Sequence, residues 1–113
     1  MTVGPPPGTS FKLDSAKITE YLLRPDHPTG GSKARFFLRF GFSSAAPEVL
    51  AQALLLHPSA DHLTRSAPSA HGMKHVHEGP IQAPDGRAPS IRTVWLVDRS
   101  GIASFVTAYP LTG

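Results

Sequence analysis

The sequence contains no cysteine, which excludes a disulfide framework, a thiolate nucleophile and any cysteine-based zinc site. It also lacks any apolar run long enough to cross a bilayer, so no membrane partner is expected. Residues 1–10, MTVGPPPGTS, have neither the basic start nor the apolar stretch of a signal peptide. Rich in Pro and Gly, they read as a flexible leader ahead of a single domain over residues 11–113. A chain of 113 residues is too short to support a second core. Absence of cysteine suits a reducing compartment, and the expected location is cytoplasmic.

Acidic residues are few. Against 11 Lys and Arg stand 8 Asp and Glu, for a net charge of +3, which matters more for where the charges lie than for its size. Lys12, Lys17, Arg24, Lys33, Arg35 and Arg39 fall within one stretch, opposed only by Asp14, Glu20 and Asp26. A basic sector attracts polyanions through counterion release, which makes nucleic acid a candidate partner. The same charges also fit an ordinary solvated helix face.

What the chain does have is punctuation, with 12 prolines and 10 glycines that imply many turns. Asp14 or Ser15 caps a first predicted helix, with Ile18, Tyr21 and Leu22 at the spacing of a buried stripe and Pro25 as its stop. Ser32 caps a second, KARFFLRF, which Gly41 terminates. A third, PEVLAQALLLH, opens on Pro47 and ends before Pro58, with His57 on its apolar side as a packed or capping residue. The second half turns to short β-branched and aromatic segments: LTRSA, GMKHVHEG, IRTVWLVD and ASFVTAY. No helix-length segment separates them. The expected fold is α+β, with about three N-terminal helices packed on one face of a four-stranded antiparallel sheet formed by the C-terminal half.

Strict alternation along the last two strands puts Val94, Leu96, Val106 and Ala108 beneath the helices. It leaves Thr93, Trp95, Thr107 and Tyr109 on a second face of hydroxyls and rings, able to stack a base and hydrogen-bond a phosphate. Trp95 and Tyr109 also fit as core aromatics with satisfied polar tips. His75 and His77 share a strand face. With His71 or His62 they would make a zinc site, against which exposed strand histidines without metal are commoner. No metal or other cofactor is expected. His27 differs from these, lying in a turn between prolines shortly before Lys33.

The ordered set KITEYLLRPDHPTGGSKARFFLRFGF, IRTVWLVD and VTAYP resembles an uncharacterised bacterial domain family. Its members also occur as C-terminal modules of polymorphic toxins and phage-associated proteins. That family resembles the metal-independent ribonuclease superfold of barnase, the EndoU enzymes, nuclease colicins and RelE-type toxins, a likeness of fold. The family pattern falls on Tyr21, Leu22, His27, Pro28, Gly31, Lys33 and Ala34, then on Gly79, Thr93, Trp95, Thr107 and Pro110. The segment HPSADHLTRSAPSAHGMKHVHEG carries no family motif.

The resemblance implies a ribonuclease or ribonuclease-like toxin, intracellular if the chain stands alone. His27 serves as general acid or base and Lys33 as phosphate clamp at a helix N-terminus. Thr93 and Thr107 donate to the phosphate, Trp95 or Tyr109 stacks a base, and His75 or Tyr109 completes the acid–base pair. Arg35 adds to RNA binding. The expected partners are RNA and an immunity or antitoxin protein, and edge-strand pairing allows a homodimer as well as a monomer. The alternative is a non-catalytic nucleic-acid- or protein-binding module on the same fold.

Overall fold

The computed structural model describes residues 10–14, 18, 23–24, 31–58 and 62–111. Within them the architecture is two helices on a five-stranded mixed sheet. The elements in chain order are β1 (Ser10–Lys12), α1 (Gly31–Arg39), α2 (Pro47–Leu56), β2 (Leu63–Ser69), β3 (Gly72–Pro80), β4 (Ser90–Val97) and β5 (Ile102–Pro110). The sheet order is β1-β5-β4-β3-β2. The expectation of three helices on a four-stranded antiparallel sheet is thereby corrected in two respects.

First, Ser10–Lys12 forms a strand parallel to β5, in register from Ser10 opposite Ile102 to Lys12 opposite Ser104. Only Phe11 of the three turns inward, where its ring meets Trp95 edge-on at 5.2 Å. That contact anchors a segment too short to show a strand period. Second, most of the predicted first helix lies outside the described residues. Ile18 and Leu23 are buried, and the Leu23 amide donates to the Ile18 carbonyl at 2.8 Å. This bond spans five residues, one more than an α-helical bond.

The other two helices follow the sequence closely. Gly41, at φ +99, closes α1 in a Schellman arrangement. Phe42 N–H donates to the Phe37 carbonyl (3.3 Å) and Gly41 N–H to that of Leu38 (3.1 Å). The Phe37 and Phe42 rings pack at 6.0 Å, the apolar contact such a cap requires. Pro47 opens α2, whose Leu50 and Leu54 are fully buried. Ala34 and Phe37 of α1 join them over Ile91, Trp95, Ala103 and Ala108 of the sheet. Among the described residues no helix is long and apolar enough to cross a membrane.

The two sheet faces are sorted by a bulge. Val94 pairs with Thr107, but the next residue, Trp95, pairs with Phe105, which makes Val106 the extra residue of a β-bulge. An extra residue reverses the alternation of everything beyond it. Ala103 and Phe105 point to the helices before the bulge, and Ala108 does so after it. Thr107 and Tyr109 are thus turned to the other side. On β4 the helix side takes Ile91, Thr93, Trp95 and Val97, the reverse of the assignment that unbroken alternation gives.

Candidate functional site

The face away from the helices is built from cross-strand rows. Tyr109 of β5 lies opposite Arg92 of β4, and Arg92 opposite Glu78 of β3. The neighbouring row runs Thr107, Val94, Val76 and Arg65 across β5 to β2. Together with Thr64, Lys74 and Val106 these side chains line a groove of about 350 Å³. Its floor is apolar, since Val76 and Val94 are nearly buried, and its rim is charged.

Lys33 joins this face from the first turn of α1. β1 stops at Lys12, opposite Ser104, so it does not flank the later half of β5. The Lys33 Nζ donates to Thr107 Oγ1 at 3.2 Å and lies 5.4 Å from the centre of the Tyr109 ring. Arg92 approaches the same ring at 5.3 Å and donates from Nη1 to the Tyr109 hydroxyl at 2.9 Å. Its Nε and Nη2 both donate to Glu78 Oε2. The guanidinium is held well in its charged form, first by Tyr109 and then by Glu78. A lysine, a threonine hydroxyl, a phenol, an arginine and a carboxylate are thus joined in one chain of contacts. Such a set can neutralise and donate to a phosphate, and its carboxylate can take a proton from a neighbouring hydroxyl.

Thr93 and Trp95 lie on the opposite side, in the core. Both are fully buried, and their polar atoms are used internally. Trp95 Nε1–H donates to Thr93 Oγ1 at 3.0 Å, and Thr93 Oγ1 meets His57 Nδ1 at 2.8 Å. His57 Nε2 lies 3.0 Å from the Gly79 carbonyl. A carbonyl only accepts, which fixes the proton of neutral His57 on Nε2. Nδ1 therefore accepts from the Thr93 hydroxyl, while that oxygen accepts from Trp95. Burial pushes the His57 pKa down, opposed by the Gly79 carbonyl and reinforced by nearby His62. His62 Nδ1–H donates to the His57 carbonyl at 2.6 Å and its ring covers Gly79, where a Cβ would lie 2.7 Å from it. This network ties the end of α2 to the sheet.

His75 is also buried, opposite Trp95 on β3, with Nδ1 2.8 Å from Ser66 Oγ. Burial lowers its pKa. His77 lies on the same inner face, opposite Thr93, and His71 is exposed at the hairpin tip. Among the described residues no three His, Asp or Glu side chains converge as metal ligands. Arg35 is exposed on α1. His27, Tyr21 and Leu22 lie outside the described residues. Of the residues singled out in the sequence, the structure therefore brings together Lys33, Thr107 and Tyr109. It separates them from Thr93, Trp95 and His75.

Arg92 and Glu78 were not singled out. Their signal is present in KHVHEG, where Lys74, Val76 and Glu78 alternate with histidines, and in IRTV, where Arg92 and Val94 alternate with Ile91 and Thr93. Val76 and Val94 put apolar residues in the middle of that face, which conceals its polar rim.

The chain matches the domain of unknown function DUF6883 over residues 9–112 and belongs to that family. No curated protein matches it. Among solved structures it is similar to one chain of a contact-dependent growth inhibition toxin–immunity protein complex from Klebsiella pneumoniae 342. The TM-score is 0.73 at 17% identity, covering 88% of this chain and 98% of that one. At that identity the likeness is one of fold.

Proposed function

We propose that this chain is a toxin-like domain that cleaves RNA on the open face of its sheet. In this reading its own side chains supply the charge that a metal supplies elsewhere. The observation that carries the reading is the contact chain from Lys33 and Thr107 through Tyr109 and Arg92 to Glu78. In RNA transesterification the 2′-oxygen bonds to its own 3′-phosphorus as the bond from phosphorus to the 5′-oxygen breaks. One group takes the 2′-hydroxyl proton, another protonates the departing 5′-oxygen, and cations or donors stabilise the charged phosphorane.

Glu78 takes the first role, with Arg92 fixing its carboxylate. Lys33 Nζ and Thr107 Oγ1, 3.2 Å apart, are close enough to share one phosphate oxygen. Tyr109 accepts from Arg92 and keeps its own O–H to donate to another. Arg92, engaged by Glu78 and Tyr109, acts as a positioning residue. His27 is assigned the proton for the 5′-oxygen, and Arg35 a contact with the flanking strand. Thr93 and Trp95 have no part in the chemistry.

The likeness to one chain of a toxin–immunity complex supports a toxin-related role. Of the two roles that complex names, toxin and immunity protein, the proposed RNA-cleaving reading of this chain's cation-lined groove fits the toxin. A protein inhibitor covering that groove is then the expected partner.

Incubation with tRNA and mRNA in EDTA tests the reading. Wild type is expected to fragment RNA, and Lys33→Ala, Glu78→Gln and His27→Ala each to slow cleavage by about a hundredfold. Intact RNA in every lane overturns cleavage. Salt-dependent binding without product makes the domain a binding module instead.

A further inference from the structure

The groove continues past the proposed reaction centre. Thr107, Val94, Val76 and Arg65 form one row across four strands, so Arg65 stands three strand spacings from Thr107, about 14 Å. Lys74 precedes Val76 by two residues on the same face of β3 and lines the same groove. Both Arg65 and Lys74 are exposed, and neither side chain makes a hydrogen bond or ion pair among the described residues. Arg92 is different, since Glu78 and Tyr109 occupy it. Between the two cationic ends lies the valine floor.

From this arrangement we propose a second phosphate subsite at Arg65 and Lys74, which holds the RNA backbone beyond the phosphate that Lys33 and Thr107 hold. The inference rests on the RNA-acting reading of the face. The occupant is the backbone of single-stranded RNA, on two grounds. The free groups at this end are cations alone. The apolar strip between the ends suits sugar and base surfaces rather than further charge. A strand lying across the sheet would place one phosphate at the β5 margin and a later one at the β2 margin. The subsite therefore contributes nothing to a ligand with a single phosphate.

The test compares binding of a 2′-O-methyl dinucleotide, with one phosphate, and a 2′-O-methyl hexanucleotide, with five. Methylation removes the nucleophile, so binding is read without turnover. The Arg65→Ala/Lys74→Ala double variant is expected to bind the hexanucleotide about tenfold more weakly. Loss of two phosphate contacts should also lower the slope of log affinity against log salt by about 1.4. Its dinucleotide affinity should match wild type. Unchanged hexanucleotide binding, or equal weakening for both ligands, overturns the subsite. Lys33→Ala is expected to weaken both ligands. If it weakens neither, the RNA-acting reading of the face itself fails, whatever the double variant does.

Discussion

Thr93 shows how one hydroxyl can be read two ways. In sequence it is a hydroxyl two residues from a tryptophan on a β-rich segment, suited to donate to a phosphate. In the fold its proton goes to His57 and its lone pair to Trp95. Thr93→Val keeps the shape but leaves two buried polar groups without that oxygen, a loss of about 2 to 3 kcal/mol in urea unfolding. The pH dependence follows from the same interior. The His57 and His75 pKa values are both lowered by burial, so the folded chain favours the neutral rings. Between those lowered values and the ordinary value of about 6.5, the unfolded chain binds more protons. Stability is therefore full above about pH 6.5 and falls as the pH drops through that window. The urea midpoint should fall between pH 7 and pH 5, and a flat profile contradicts the assignment. Asp85 and Asp98, held below the usual carboxylate range chiefly by Arg87 and Ser100 respectively, titrate at lower pH and do not mask it.

At the scale of elements, the legible features were those with a local chemical cause. Gly41 closes α1, Pro47 opens α2 and Pro58 follows its end, because each acts on its own backbone. Four of the strands were equally visible from their β-branched and aromatic runs. What could not be read was the Val106 bulge, since valine is an ordinary strand residue and the bulge arises from how β5 meets β4. That one residue accounts for the exchange of faces: Thr107 and Tyr109 turn outward while Thr93 and Trp95 stay in. β1 was hidden for another reason, since three residues show no period and its place depends on Phe11 meeting Trp95. Deleting Val106 removes the extra residue, and plain alternation then keeps Phe105 and Ala108 toward the helices and Thr107 and Tyr109 outward. The deletion variant is therefore expected to keep a cooperative unfolding transition, measured by circular dichroism in urea. Loss of that transition contradicts the role given to the bulge.

At the scale of the whole molecule, the division of labour is between two faces of one sheet. The helix side holds the fold together through aromatic packing and a buried His57–Thr93–Trp95 network. The open side gathers Lys33, Thr107, Tyr109, Arg92 and Glu78, with Arg65 and Lys74 beyond them. Part of that site was legible, because Lys33, Thr107 and Tyr109 carry their chemistry in their residue type. Arg92 and Glu78 acquire theirs only when β3 and β4 set them opposite each other. The central claim, that RNA meets the open face, is tested most directly by backbone amide shifts on titrating a 2′-O-methyl RNA hexanucleotide. The account predicts shifts at Val76, Glu78, Val94, Thr107 and Tyr109, with Val49, Gln52 and Leu56 of α2 unmoved. Shifts confined to the α2 surface, or none anywhere, would contradict it.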